Sequence, residues 1–585
     1  MLPETFLCLL LFLGMVLGLS RPWAGRLGFT PAETLVAGAA LSLIVLWFAG
    51  WAFYLARAPA GALWILPAAA AAALVWDRRA VTALARDPEA GSLMAGQALV
   101  TAWGLCLLPF IRSFSGGAWI GDWFEHWERT LALLHHWPHQ HQFLDIYSMP
   151  ARPPLANVVS MILLGLTQED FAHQQIITTA FSSLAYLPAA LLARRFAGSE
   201  ISSHGPADTP DRASRILTVL FLLNPLFVQN ATFPWTKLAA AFFVLAGLYF
   251  FLRSLDAGGF RTPAPAVCGA CLAAGILAHY SAGPYVVTLG AAWLILGWSR
   301  RGNPAYWRAT VIAGATGACV LASWFAWSLA VYGSSATFLS NTSVTSLGSW
   351  QGSHLERIVL NVRDTLVPHV LRPVDRWLIR QTSPWGYLRD VCFQCYQLNL
   401  PLAIGSLAWI VVAREAIRAA ASAPTRQWIF WTGCLTCFVV GGIAVYGDRD
   451  VWGLAHLCLQ PVVLLALAFL AARWQHLGPI WRGVIAVGAT VDLCLGIALH
   501  FAIQDLALDE RLKPAPRLDE FPKTYTAVMR WNLSDKLHYH LVFFSDVLTV
   551  PRALVLALLA ALLILALLRC RKPSGPAALQ PARAG

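Results

Sequence analysis

Apolar runs long enough to cross a lipid bilayer recur along the whole chain. A helix needs about 20 such residues to span a hydrocarbon core about 30 Å thick. Because only helices and closed barrels satisfy their backbone hydrogen bonds in lipid, these continuous runs predict helices. The composition agrees with this: 58% of the 585 residues are hydrophobic and only 12% are charged, whereas soluble domains carry about 25% charged residues. We therefore expect an all-α polytopic membrane protein.

The apolar runs predict a bundle of about 13–15 transmembrane helices. The first run, Thr5–Leu19, lacks the basic residues that begin a signal peptide, so it is counted as a helix. The expected spans lie near residues 5–19, 35–56, 62–76, 93–111, 171–193, 216–232, 237–253, 264–280, 284–298, 309–333, 400–413, 428–446, 452–471, 484–502 and 551–569.

Arginines concentrate in alternate short loops and in the C-terminal tail, as at Arg78, Arg194, Arg300 and Arg569. Cationic loops stay on the cytoplasmic side, which predicts an outer N-terminus and a cytoplasmic C-terminus in a bacterial cytoplasmic (inner) membrane. These loops also account for the net charge of +12 without a nucleic-acid partner. The opposite, extracytoplasmic side then receives the three long polar segments 112–154, 334–399 and 503–550.

The first outer segment opens with acids that alternate with aromatic residues. On a helix, Asp122, Glu125 and Arg129 share one face. Such a helix would lie at the membrane interface with its aromatic rings on the other side. A carboxylate held there can act as a general base toward a hydroxyl or amine acceptor. The alternative is an amphipathic connector whose acids are simply solvated.

Five histidines follow in the same segment, at positions 126, 135, 136, 139 and 141. Imidazoles and carboxylates can bind a divalent metal. Their spacing is not typical of a zinc site, however, and Pro138 interrupts any helical register between them. The sequence thus predicts no metal site and no cofactor, with a divalent metal left as the weaker alternative.

The segment ends with Arg152 before Pro153 and Pro154. The two prolines force an extended backbone that presents the arginine rigidly. A guanidinium offers a fixed pair of donors to phosphate, so Arg152 is a candidate phosphate-binding residue. The alternative is a loop arginine that extends toward the membrane interface.

Further charged and polar residues fall on the same predicted outer face, where groups near membrane depth often mark functional cavities. Asp492 is the exception, since it lies within a predicted span and has no evident partner. The outer candidates are Lys237, His279, Tyr280, Asp448 and Arg449, together with Asp145 in the first outer segment.

An apolar helix, an outer loop that opens with Asp122, and the Arg-Pro-Pro-Leu motif at 152–155 together resemble the GT-C superfamily of membrane glycosyltransferases. The nearest group is that of protein O-mannosyltransferases and lipid A aminoarabinose transferases. The resemblance covers roughly residues 93–500. It implies a polyprenyl-phosphate-linked sugar donor and a periplasmic active site. Position 123 is Trp where that group has a second acid.

The resemblance also implies roles for individual residues. Asp122 would be the catalytic acid or base, with Glu125 in place of the missing second acid. Arg152 would bind the donor phosphate, and Lys237 would be a second phosphate cation, matched only by its position. His279, Tyr280, Asp145, Asp448 and Arg449 are candidate substrate-binding residues. The acceptor, whether a lipid, a glycan or a protein, stays open.

The chain divides accordingly into extra N-terminal helices (1–92), a GT-C-like core (93–502) that includes outer loops 112–154 and 334–399, an extracytoplasmic segment (503–550), and a last helix with its tail (551–585). Two other functions compete with glycosyl transfer. A transporter or flippase of lipid-linked saccharides would spread charges through the membrane depth. A non-catalytic scaffold of the same fold is the other alternative.

Overall fold

A computed structural model of the chain describes residues 2–112, 114, 122–143, 147–199, 209–340, 353–368, 371, 384–419, 459–503, 506 and 541–571. These residues are helical almost throughout. The α-helices of the first half are Leu2–Gly18, Arg21–Ala24, Pro31–Ala56, Ile65–Trp76, Arg78–Arg86, Pro88–Leu107, Asp122–Leu134, Leu155–Leu166, Phe171–Ser183, Tyr186–Ser199, Thr209–Leu223, Pro225–Thr232, Lys237–Leu255 and Ala264–Ala278. Those of the second half are Gly283–Trp298, Pro304–Leu339, His354–Leu366, Pro384–Leu398, Leu400–Ile404, Ala408–Ala419, Gln460–Arg473, Pro479–Ala498, Phe544–Val547 and Arg552–Arg571.

The described part of the chain contains no β-strand, only one isolated bridge between Phe143 and Tyr147. Within it, nine helices are long and apolar enough to cross a membrane, or ten if the bent pair Ala60–Trp76 and Arg78–Arg86 counts as one span. The prediction of an all-α, multi-pass membrane protein is therefore confirmed.

The remaining predicted spans differ from simple crossing helices. The run at 216–232 is two helices, because Pro225 has no N–H to continue the first one and the Asn224 side chain caps the second by accepting from the Phe227 N–H at 2.8 Å. The run at 400–413 is interrupted at Gly405, whose φ is 140°. The run at 264–280 is a helix of 15 residues. Span 428–446 and the first part of 452–471 lie outside the described residues.

One apolar helix, Leu155–Leu166, was not predicted from the sequence. Its 12 residues extend about 18 Å, too short to cross a bilayer. It packs under the Asp122–Leu134 helix and against Pro31–Ala56. Gly50 permits this approach, since a Cβ there would lie 2.5 Å from the Val158 side chain. The helix Leu155–Leu166 thus supports the first outer segment by packing against the Asp122–Leu134 helix.

The N-terminal helices pack directly against later ones. Trp47 Nε1 donates to Ser323 Oγ at 2.8 Å, and Tyr249 Oη donates to Glu33 Oε1 at 2.8 Å. Arg253 also pairs with Glu33 at 3.0 Å. These contacts attach residues 1–92 to the rest of the bundle. The domain boundaries drawn from the sequence stay a prediction.

Asp492, which has no evident partner in the sequence, has one in the fold. Its carboxylate accepts from the Ser406 backbone N–H at 3.1 Å and from the Ser406 hydroxyl. Ser406 precedes helix Ala408–Ala419, so Asp492 satisfies the backbone where the predicted span 400–413 breaks. Its contacts are those of a structural residue.

Candidate functional site

The Asp122–Leu134 helix carries the acidic face predicted from the sequence. Asp122 and Glu125 lie on the same side as Arg129, and Arg129 Nε donates to Glu125 Oε1 at 2.8 Å. The Glu125 and Arg129 side chains are fully buried. The aromatic side is covered as well, with Trp123 inaccessible. Protein therefore encloses the helix on both faces, and the alternative of solvated acids on a connector is wrong.

Arg129 fixes the turn that precedes Arg152. Its Nη1 donates to the Met149 carbonyl at 2.8 Å and its Nη2 to the Ser148 carbonyl at 2.9 Å. The guanidinium also lies 4.4 Å from the centre of the Phe143 ring. One buried side chain thereby connects the start of the outer segment with its end.

Arg152 lies across both acids. Its Nη2 donates to Asp122 Oδ1 at 2.8 Å, and its Nε lies 3.0 Å from Glu125 Oε2. The backbone at Arg152 is extended, with φ −140° and ψ 132°, as the two following prolines require. Asp122 and Arg152, 30 residues apart in the sequence, thus form a direct ion pair.

The electrostatics of this cluster keep Arg152 charged. Burial lowers the pKa of its guanidinium, but the neighbouring Asp122 and Glu125 more than offset this and raise the pKa above its usual value. The Tyr147 ring lies 5.3 Å from the guanidinium carbon. A permanently charged, preorganised guanidinium suits the recognition of an anion.

Two further candidate groups, Lys237 and His126, are buried and influence each other electrostatically. Lys237 is buried at the start of helix Lys237–Leu255, with its Nζ 3.7 Å from the Trp235 ring centre. His126 follows Asp122 by one helical turn and is 2% exposed. Burial, with the nearby Arg152, Arg129 and Lys237, lowers the pKa of His126 well below its ordinary 6.5. The imidazole is therefore neutral at neutral pH.

Tyr280 contacts the turn before Arg152, whereas His279 makes hydrogen bonds to the neighbouring Ser281. Tyr280 Oη donates to the Pro150 carbonyl at 3.1 Å, within the turn that Arg129 holds. His279 Nδ1 accepts from the Ser281 N–H at 3.1 Å and lies 2.7 Å from its hydroxyl. Asp145, Asp448 and Arg449 lie outside the described residues, so their assignment as substrate-binding residues stays a prediction.

The other histidines of the segment lie apart from one another and contact different partners. His135 pairs with Glu169 at 2.8 Å on an exposed surface, and the His136 ring stacks on Tyr54 with centroids 5.2 Å apart. His139 lies against the Trp327 ring. The described residues hold no group of three or more His, Cys, Asp or Glu side chains that could bind a metal ion.

Sequence reasoning missed several polar residues around this site. Asn157 lies in an apolar run, yet its Nδ2 donates to the His126 carbonyl at 2.8 Å and to Thr130 Oγ1 at 3.1 Å. Gln174 and Thr236 are buried and line the same small space as His126. Single polar residues within apolar helices were the available signal.

No protein-family model and no curated protein matches this sequence. Among solved structures, the chain is similar to the crystal structure of ArnT from Cupriavidus metallidurans bound to undecaprenyl phosphate. That match has 15% identity, covers 82% of this chain and 78% of that one, and has a TM-score of 0.44. The apo form of the same protein matches at 14% identity over 77% and 74% of the two chains, with a TM-score of 0.41.

The apo oligosaccharyltransferase of Archaeoglobus fulgidus is also similar, at 13% identity over 76% of this chain and 64% of that one, with a TM-score of 0.37. Both of these proteins are GT-C superfamily members.

Proposed function

We propose that the chain is an integral-membrane glycosyltransferase that moves a sugar from a polyprenyl-phosphate-linked donor to an acceptor on the extracytoplasmic face. The observation that carries the proposal is the largely buried ion pair between Asp122 and Arg152. In this pair, a carboxylate that can receive a proton lies beside a guanidinium that can bind a phosphate.

Each side chain of the Asp122–Arg152 pair has one polar atom that is not used in the pair. Among the described residues, Asp122 Oδ2 and Arg152 Nη1 have no hydrogen-bond partner. The carboxylate is thus oriented through Oδ1 and can accept a proton at Oδ2. The guanidinium is oriented through Nε and Nη2, and Nη1 is left to donate to a phosphate oxygen.

The reaction follows from these two roles. The acceptor oxygen or nitrogen attacks the anomeric carbon of the donor sugar, and the bond from that carbon to the phosphate oxygen breaks. The acceptor proton passes to Asp122 Oδ2, and the polyprenyl phosphate leaves with the bonding electrons, stabilised by Arg152 and Lys237. We assign Glu125 to positioning, because its two oxygens contact Arg129 and Arg152 and its side chain is fully buried.

The decisive test is Asp122→Asn in the full-length protein, assayed with a labelled polyprenyl-phosphate sugar in membranes. We expect transfer to fall about 10²–10⁴-fold, the usual contribution of a general base. Binding of undecaprenyl phosphate should persist, because Arg152 keeps Glu125 as a partner. Wild-type turnover in this variant would exclude Asp122 as the base.

Asp256→Asn is a matched control. Asp256 also pairs with an arginine, Arg195, at 2.6 Å, but far from the outer segment in sequence and between other helices. For the phosphate role, Arg152→Lys keeps the positive charge but loses the paired N–H donors of the guanidinium. It should therefore weaken the binding of undecaprenyl phosphate about 10-fold. Unchanged affinity would remove Arg152 from the donor site.

The sidedness of the site needs a separate measurement. A cysteine placed at Ser148 should react with a membrane-impermeant thiol reagent applied to intact cells. Reaction only after the cells are opened would place the site on the cytoplasmic side.

A further inference from the structure

A cavity lies among the N-terminal helices, on the side that the arginine-rich loops predict to be cytoplasmic. Its walls come from the short helix Arg21–Ala24, from the start of helix Pro31–Ala56 and from helix Arg78–Arg86. Its volume is about 430 Å³ and it is open on one side, which is within the range of about 300–1,000 Å³ for ligand pockets. It shares no lining residue with the Asp122–Arg152 site, so the proposed function leaves it unexplained.

Helix Arg78–Arg86 turns an apolar face toward this cavity. It is bent by 76° from the preceding Ala60–Trp76 segment, and a basic amphipathic helix at such an angle to a span lies along the membrane surface. Ala80, Ala83 and Leu84 line the cavity, whereas the arginines of the helix share another face. None of its nine residues, all within the described part of the chain, is buried. The apolar face is therefore left partly open.

Arg21 presents donors to the cavity from another wall. The residue is 7% exposed, and its Nε donates to Asp77 Oδ2 at 3.0 Å, which holds the side chain in place. Nη1 and Nη2 make no hydrogen bond within the described residues. Nη2 lies beside Gly25, where a Cβ would be 4.0 Å from it, and Gly25 lines the cavity. A fixed guanidinium with two unused nitrogen groups is suited to bind a phosphate.

The charges around the cavity favour an anion. Arg86 also lines it, is exposed and has no ion pair among the described residues. Segments 20–30 and 77–87 together hold five arginines and two aspartates. Both acids are engaged, since Asp77 belongs to the ion pair above and Asp87 caps the following helix. The positive potential therefore attracts an anionic headgroup and leaves neither acid for the ammonium of a zwitterionic one.

We propose that this cavity binds the phosphate of an anionic glycerophospholipid. Arg21 and Arg86 contact the phosphate oxygens, and the apolar lining from Phe29, Ala80 and Leu84 packs against the glycerol and the first acyl carbons. This apolar lining favours a lipid over a free phosphate ion. The site goes beyond the proposed glycosyltransferase function and does not depend on it, since it serves to hold the N-terminal helices at the membrane surface.

The test measures lipid binding to the full-length protein in detergent by native mass spectrometry. The probes are phosphatidylglycerol and phosphatidylcholine with identical acyl chains. We expect the first phosphatidylglycerol to bind about 10-fold more tightly or better, the combined effect of two arginines at an anionic headgroup. Equal affinities would overturn the selectivity for an anion. Inorganic phosphate in large excess should not displace the lipid, and displacement would show that the site takes a free phosphate instead.

Ala83→Trp and Ala85→Trp form a matched pair that leaves every charge in place. Both alanines are exposed on the same helix, but only Ala83 lines the cavity. Ala83→Trp fills the space, so it should reduce the affinity for phosphatidylglycerol to that for phosphatidylcholine. Ala85→Trp should bind like the wild type. Equal affinities of the two variants would overturn the assignment of the lipid to this cavity.

Arg86→Gln and Arg308→Gln separate a local site from general attraction by a basic surface. Both arginines are exposed and have no ion pair among the described residues, but Arg308 is not in the cavity. Arg86→Gln should weaken the binding of phosphatidylglycerol about 5-fold, the contribution of one arginine near an anionic lipid. Arg308→Gln should have no effect. An equal loss in both variants would show that only the overall charge attracts the lipid.

The lipid site and the glycosyltransferase proposal fail separately. Arg152→Lys should leave the first phosphatidylglycerol bound, and its loss in that variant would place the lipid at the proposed donor site instead. Conversely, Ala83→Trp and Arg86→Gln should bind undecaprenyl phosphate like the wild type. Melting temperatures without added lipid are the folding control, and they should stay unchanged because the substituted residues of this helix are exposed.

Discussion

Arg129 is the residue on which the geometry of the outer segment most depends. Its side chain is fully buried and donates to Glu125 and to the carbonyls of Ser148 and Met149. Arg129→Met keeps the apolar length but leaves these acceptors without their donor. Breaking a buried pair by removing one partner costs about 3–5 kcal/mol, and we expect a loss of that size in the free energy of unfolding.

The same substitution should release the turn at 148–150. Arg152 would then lose its fixed position over Asp122, so the affinity for undecaprenyl phosphate should fall although Arg129 itself is not assigned to the phosphate. A cysteine at Ser148 should also react faster with thiol reagents. Both readouts report the site and are independent of global unfolding.

A double-mutant cycle measures the contact itself. Free energies of unfolding are obtained by SDS titration in mixed micelles for Glu125→Gln, Arg129→Met and the double variant. We expect a coupling of about 2 kcal/mol, near the upper range for residues in one buried network. Additive effects, together with unchanged labelling at position 148, would refute the view that Arg129 connects the two ends of the segment.

Two further predictions concern packing and pH. In Gly269→Ala the new Cβ would overlap the backbone oxygen of Ala313, so the free energy of unfolding should fall by about 1–3 kcal/mol. Gly314→Ala is the control and should be neutral, because there is open space around Gly314. Equal melting temperatures of the two variants would contradict the close helix contact at Gly269. The pKa of His126 is lowered below 6.5 in the folded protein, so the unfolded chain binds the proton more readily. The stability present above pH 6.5 should therefore be lost as the pH falls. The loss in the free energy of unfolding should be at most about 1.4 kcal/mol per pH unit. His126→Gln should reduce that slope, and identical pH profiles of unfolding would refute the assignment.

The sequence determined the fold class and marked the two ends of the candidate site. Apolar runs of span length require helices because no other open structure satisfies the backbone in lipid, and nine such helices are present in the described part of the chain. The helical spacing of Asp122, Glu125 and Arg129 and the rigid backbone at Arg152 are local properties, so they could be predicted before any contact was known.

Only the tertiary structure decided what these residues do to one another. Hydropathy cannot distinguish a crossing helix from a short buried one such as Leu155–Leu166, because both are apolar. The Asp122–Arg152 pair joins positions 30 residues apart, and the partner of Asp492 lies 86 residues away. Contacts of this kind follow from how the helices pack, and packing is not encoded in any single stretch of sequence.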